Sequence, residues 1–406
     1  SEDDLYIDTD WRTGLLDFAR MNPIMTGPEG GRWLEWIAFN IRREPEPNSS
    51  AWVALANRAI ARLNEAAVPY KDGAWINGSD SPPDDGFKSI QVAKTRDRRP
   101  EPQKQDKNWR PTGYYASHDT WAVQGLCAIY RATKDPATLK LAGRLSRYIK
   151  DYGEMVAPDG RLLSEVPPGA THWHHSFQAA LACVEYGDVA HDREFLAFAD
   201  TAYRHALTFC NRRIGFAPEY CYGRFPRKQD IDNTEACCSA DLVLMALWLT
   251  RSGYADYWDD VDRYIRNHIT ALQLTDTRWL YQIPENRSKY TYPDPEVEKA
   301  IGPLVGQFGG WATVNEWHVP EFGPGIMTCC VGNCTRAYYY VWEQMVGFSK
   351  GRLRVNLMLN RASRWADISS YLPYQGKFAM KLKTRCKEIL VRAPEWLPTG
   401  SRDISA

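Results

Sequence analysis

Between Trp121 and Leu272 the chain repeats one construction three times: a helix, a turn and a second, amphipathic helix. Trp121 to Thr133 reads as a helix, stops at Lys134-Asp135-Pro136, and leads to a helix through Leu139, Leu141, Leu145, Tyr148 and Ile149. His175 to Tyr186 is followed by a turn expected at Gly187-Asp188 and a helix with Phe195, Phe198, Ala199, Tyr203 and Ala206. Cys237 to Leu249, then Ser252-Gly253, then a helix with Trp258, Val261, Ile265 and Ile269 make the third copy. Apolar residues in the second members recur at three- and four-residue steps, the period of an amphipathic helix. Equivalent tyrosines at 148, 203 and 264 stand 55 and 61 residues apart. Hairpins at that interval bury their faces only against one another, so a mainly α chain is expected, built as an α/α toroid or solenoid.

Further helices are expected at Gly31 to Arg43, Ala51 to Glu65 and Asn333 to Met345. From Lys350 the period changes. Leu353, Val355, Leu357 and Leu359 alternate with other residues, as do Phe378, Met380 and Leu382, then Ile389 and Val391, which predicts half-buried strands. The expected boundary lies near Gly347, giving a helical domain over 1–346 and a β-rich domain over 347–406 that is too short for a closed sandwich by itself. Lys71 to Tyr115 and Tyr281 to Met327 are long and irregular; loops of that length in a toroid tend to wall one mouth.

At 406 residues the chain exceeds the size at which one core stops growing, in keeping with one large domain and a smaller one. Its 50 basic residues balance 50 acidic ones, and no positive surplus suits a nucleic-acid partner. The longest apolar run, Leu242 to Leu249, is too short to span a bilayer, so a soluble protein without a membrane partner is expected. No signal peptide is visible, and a chain opening on Ser1 fits both a cytoplasmic protein and one exported after leader removal. The 16 Trp and 22 Tyr fill a helical core or present flat rings to sugars.

Ten cysteines are too few for a disulfide scaffold in a chain this long, and two vicinal pairs, Cys237-Cys238 and Cys329-Cys330, draw attention instead. Asn233-Thr234-Glu235-Ala236-Cys237-Cys238 and Thr328-Cys329-Cys330-Val331-Gly332-Asn333 each lead into a helix, with Asp232, Asn233 or Thr234 as candidate caps for the first. A helix N-terminus favours thiolate over thiol. Glu235 and Cys237, two residues apart, share no helix face and meet only in the irregular turn before the helix settles. With Cys329 and Cys330 they make a set of one oxygen and three sulfurs, which suits Zn2+. Buried, inert cysteines are the other reading of the same residues.

These segments resemble a family. Glu235-Ala236-Cys237-Cys238, and Cys329 to Arg336 about 90 residues later, look like the E-x-C and CC-x-x-N-x-x-R motifs of the β-L-arabinofuranosidases, glycoside hydrolase family 127. The resemblance runs over roughly Ser117 to Trp396, and Val331-Gly332 departs from it where Pro is common after the cysteines. It implies an (α/α)6 barrel followed by β-sandwich-type strands, and a retaining glycosidase with a carbohydrate substrate and a zinc-bound cysteine nucleophile. By position, Cys329 matches the nucleophile, and Glu235, Cys237, Cys329 and Cys330 match the metal ligands. Glu219 stands where the family has its acid/base glutamate, and His118 and His175 lie near its sugar-contacting histidines. Cys238 and Cys334 match no assigned role.

His172, His174 and His175 also fit a metal cluster or hydrogen bonds to sugar hydroxyls, while His191, His205 and His268 read as surface or helix-face residues. Trp311, flanked by Gly309 and Gly310, fits a stacking platform or the core. Glu316 and Glu321 are reserve carboxylates. Two other functions compete: a metal-independent sugar epimerase or uronide hydrolase on a similar toroid, and a non-catalytic glycan-binding protein stapled by zinc.

Overall fold

The structure is a computed structural model; it describes residues 9–10, 15–16, 28–44, 47–76, 110, 112–157, 159–163, 173–219, 234–282, 284–310 and 328–397. It is mainly helical and divides into two compact units, 1–208 with 220–231, and 209–219 with 232–406. Among the described residues no helix is long and apolar enough to cross a membrane.

The first unit holds a two-residue strand pair, β1 (Thr9–Asp10) and β2 (Leu15–Leu16), then α1 (Pro28–Arg43), α2 (Ser49–Ala66) and the hairpin β3 (Ala67–Tyr70) to β4 (Gly73–Ile76). Four helices follow: α3 (Tyr114–Thr133), α4 (Pro136–Tyr152), α5 (Trp173–Ala190) and α6 (Arg193–Ala206). Consecutive helices pair as hairpins, and α1, α3 and α5 also pack in a row. Sequence pattern explains the difference between the two kinds. In α5 every position from Phe177 to Glu185 is buried, whereas α6 buries one stripe that includes Phe195, Phe198, Ala199, Ala202, Tyr203 and Ala206. The row is close-set because α1 and α3 meet at glycines: a Cβ on Gly125 would lie 2.5 Å from Leu34 Cβ and 2.9 Å from Gly31 O.

Lys134-Asp135-Pro136 turns as expected. Lys134 is left-handed (φ 60°), the Asp135 carboxylate accepts from Ala137 N (3.3 Å) and Thr138 N (2.8 Å), and Pro136 opens α4. The turn expected at Gly187-Asp188 falls instead at His191-Asp192, where Asp192 caps α6. Gly187 is spent on close packing, since a Cβ there would sit 3.0 Å from Leu196 Cδ2, and Asp188 pairs with Arg131 of α3 at 3.2 Å. Arg131 also holds the buried Glu185 at 2.9 Å, which gives two carboxylates of α5 one partner.

In the second unit α7 (Ala236–Arg251) is buried at every position to Leu249 and packs against α8 (Trp258–Arg266) and α12 (Thr328–Gln344). The helix expected through Ile269 breaks at Asn267, whose φ of −101° and ψ of −96° leave the helical region, and α9 (His268–Ala271) follows. Short helices α10 (Pro284–Arg287) and α11 (Pro295–Ile301) lie between α9 and α12. The last helix begins five residues before the expected Asn333. Cys330, Asn333, Cys334, Ala337, Tyr340 and Val341 are buried, so the thiols belong to the same stripe as the later core residues.

Strands follow at β5 (Val346–Ser349), β6 (Arg352–Val355), β7 (Arg361–Ala362), β8 (Ala366–Ser370), β9 (Phe378–Leu382) and β10 (Glu388–Val391). They form two three-stranded sheets, ordered β10-β6-β5 and β7-β8-β9, with β10 parallel to β6. Phe348 stacks on Trp365 at 6.1 Å, linking the two sheets. Leu353 and Val355 are fully buried, but their neighbours Ile389 and Val391 on the edge strand β10 are each 40% exposed, so the half-burial expected from alternation is reached only in the interior strand.

Candidate metal centre

Two helix starts supply the site. Glu235 immediately precedes α7 with extended backbone (φ −111°, ψ 132°), and Cys237 lies in the first turn; Cys329 and Cys330 occupy the first turn of α12. Because Glu235 is outside the helix, its side chain escapes the geometry that would separate it from Cys237. The backbone is anchored there by Ala236 N donating to Gly310 O at 2.8 Å. Thr234, a candidate cap, instead donates its hydroxyl to Ala217 O at 2.7 Å.

One ligand atom from each of Glu235, Cys237, Cys329 and Cys330 lies within 4.8 Å of all the others. Cys237 Sγ and Cys330 Sγ are 3.3 Å apart, Cys329 Sγ and Cys330 Sγ 3.8 Å, and Cys330 Sγ and Glu235 Oε1 3.5 Å. A tetrahedral dication with bonds of ~2.3 Å to sulfur and ~2.0 Å to oxygen spaces sulfurs ~3.8 Å apart and sulfur from oxygen ~3.5 Å. In donor type and number the group could hold such an ion; the Cys329–Cys330 and Cys330–Glu235 separations fall at these values, and Cys237–Cys330 is shorter. Glu235, Cys237 and Cys330 are buried, and Cys329 alone of the three thiols is half-buried.

The electrostatics point the same way. Burial raises the Cys237 thiol well above its usual range, and contacts with Cys329 and Cys330 and the Glu235 charge add to it. Cys330 is raised too: its hydrogen bond with Cys237 pulls down, but the Cys329 contact and burial outweigh it. The buried Cys237 and Cys330 thiols therefore hold their protons unless a cation compensates them.

Two more thiols border the group without joining it. Cys238 Sγ is 4.0 Å from Glu235 Oε2, and Cys334 Sγ is 3.5 Å from Ala236 O. Burial, first, and then the acidic neighbours keep both raised, which suits protonated packing residues. Glu219 is buried in the same unit, where an antiparallel bridge between Pro218 and Thr234 runs its segment beside the approach to Glu235, and its charge acts on Cys238.

The candidate sugar-contacting histidines, His118, His174 and His175, belong to the first unit. His174 is buried in the first turn of α5, 5.7 Å from the Trp121 ring, and His175 Nδ1 is 2.6 Å from Ser117 Oγ. His118 is a residue of α3; its side chain, together with His172, Trp311, Glu316 and Glu321, lies outside the described residues. The other described histidines have structural work. His191 ends α5 with φ 55°, His205 Nδ1 accepts from Leu162 N at 3.1 Å, and His268 is buried rather than at the surface, 2.9 Å from Ser239 Oγ. Asp241 was not visible as a site residue in the sequence, although it stands one helical turn after Cys237; Asn333 Nδ2 donates to it at 2.7 Å.

No protein-family model and no curated protein matches this chain. Solved structures similar to it include a family 127 β-L-arabinofuranosidase from Geobacillus stearothermophilus T6, at 14% identity and a TM-score of 0.49, covering 92% of this chain and 66% of that one. Another family 127 β-arabinofuranosidase matches at 12% identity and 0.48, over 91% of this chain and 62% of the other. A sugar epimerase from a ruminal bacterium matches at 12% and 0.41, over 78% and 87%. The chain thus spans just under two thirds of the two arabinofuranosidase chains.

Proposed function

We propose that this chain belongs to a retaining glycoside hydrolase that releases a terminal sugar through a cysteine nucleophile held in a zinc site. The observation that carries the reading is the convergence of Glu235, Cys237, Cys329 and Cys330, with one ligand atom from each within 4.8 Å of all the others. Zn2+ is the proposed ion because its filled d shell accepts a tetrahedral, thiolate-rich shell. When bound, it supplies the positive charge that lets buried thiols give up their protons.

Among the three thiols, exposure favours Cys329 as the one that reacts. Cys237 and Cys330 are fully buried, whereas Cys329 is half-buried. Glycoside cleavage needs a proton on the leaving oxygen and an electron-rich atom on the opposite face of the anomeric carbon. Cys329 Sγ attacks that carbon to form an S-glycosyl intermediate while Glu219 protonates the departing oxygen. Glu219 then takes a proton from water, which displaces the sulfur and frees the sugar with retained configuration. The motif resemblance favours β-L-arabinofuranose as the sugar; roles as sugar contacts rest on that resemblance for His118 and His175, on the His172 to His175 segment for His174 and on the flanking glycines for Trp311.

The test is a panel of chromogenic glycosides with metal analysis of the same sample. Activity on a pentofuranoside, lost on chelation and lost in Cys329→Ser while the far-UV spectrum is retained, is the expected result. Near-normal turnover by Cys329→Ser overturns the nucleophile. Full activity without metal would favour the epimerase or uronide hydrolase reading, and bound metal with no turnover of any glycoside would favour the zinc staple.

A further inference from the structure

We propose that Asn333 and Asp241 are positioning residues for the four-ligand group: a buried clasp between α7 and α12 that sets Cys237 against Cys329 and Cys330. This rests on the reading of the group as a metal site, and not on glycoside hydrolysis. Asn333 Nδ2 donates to the backbone oxygen of Cys237 at 3.2 Å and to Asp241 Oδ1 at 2.7 Å. Asn333 is 1% exposed and Asp241 0%. An amide nitrogen has two hydrogens, and both are spent on α7. One grips the backbone of a ligand residue, the other a carboxylate fixed to the same helix.

Spacing gives the clasp its leverage. Asp241 follows Cys237 by four residues and Asn333 follows Cys329 by four, so each sits one turn below a ligand on its own helix. A slide of α12 along α7 would break both hydrogen bonds and change the distance between sulfurs from the two helices. Metal sites tolerate errors of only about 0.2 Å in ligand distance. Apolar side chains between α7 and α12 hold the helices together but resist a small slide weakly, whereas two directional bonds from one side chain lock the register. Removing a partner that orients a ligand typically lowers metal affinity about 10- to 100-fold.

Co2+ titration of the full chain, followed by the thiolate–cobalt absorption band, tests the clasp. Asn333→Ala and Asp241→Ala should each weaken Co2+ binding about 10- to 100-fold. The double variant should be little weaker than the worse single one, because both act through the Asn333 side chain. A merely structural contribution would lower thermal stability without moving the band or producing that non-additivity. If Asn333→Ala does not fold, Asn333→Ser, which is too short to reach both acceptors, carries the same expectation. Wild-type Co2+ affinity and an unchanged band in a folded Asn333 variant overturn the clasp alone. Absence of a thiolate–cobalt band in the wild-type chain overturns the metal reading and the clasp with it.

Discussion

Asp119 shows how one side chain can set a pH dependence. It is wholly buried on α3 and accepts the Ile76 N–H at 3.1 Å, and burial, only partly offset by that bond, raises its pKa to about 8 from 3.8. The folded chain then keeps a proton that the unfolded chain has already released above pH 3.8. Its contribution to stability is therefore full below the unfolded pKa and is lost as pH rises through the window up to about 8. Asp119→Asn cannot ionise and can still accept the Ile76 hydrogen. Melts between pH 4 and 8 should show the variant gaining on the wild type with a slope on the order of 1 kcal/mol per pH unit. Parallel curves would show that Asp119 is ionised at neutral pH. At the same scale, the identity of the candidate ligands was legible, because a carboxylate and three thiols beside helix starts are chemically conspicuous. Asp241 was not, since a lone Asp in an apolar helix has no local mark of its partner.

Among the elements, turn chemistry was read well where a residue had a single use. Lys134-Asp135-Pro136 contains a cap and a proline with nowhere else to go, and Ser252-Gly253 places Gly253 at φ 71°. Gly187-Asp188 misled because glycine serves two purposes: it breaks helices in isolation, yet permits close approach of a neighbour when packed. The same property makes a test. Gly125→Ala should destabilise the chain by about 1–3 kcal/mol, since a Cβ would press on Leu34 Cβ at 2.5 Å and on the Gly31 carbonyl at 2.9 Å. Urea unfolding measures it; a neutral or stabilising result would mean that α1 and α3 separate without cost. Strand positions were legible from alternation, but the exposure of Ile389 and Val391 was not, because alternation says which residues share a face and nothing about what covers it.

For the molecule as a whole, the four ligands come from segments more than 90 residues apart, yet all of them lie within the second unit. Metal binding should therefore act as a crosslink on that unit. Adding Zn2+ to metal-stripped chain is expected to slow amide exchange in Ala236–Arg251 and Thr328–Gln344, with little change in α3 to α5. Slowing confined to α3–α5, as read by exchange mass spectrometry, would place the ion elsewhere.

Helix periods, capping turns and the switch to alternating strands are written in neighbouring residues, because hydrogen bonding and side-chain direction along a few turns depend on short stretches of chain. Those, with the ligand types, could be read before any fold was known. That Cys237 stands 3.3 Å from Cys330, that Cys329 is the least buried of the three thiols, and that Asn333 reaches across to Asp241 were decided by the packing of α7 on α12. Side chains so far apart along the chain are brought within bonding distance only when two helices bury their shared face in one register, and no local pattern encodes that register.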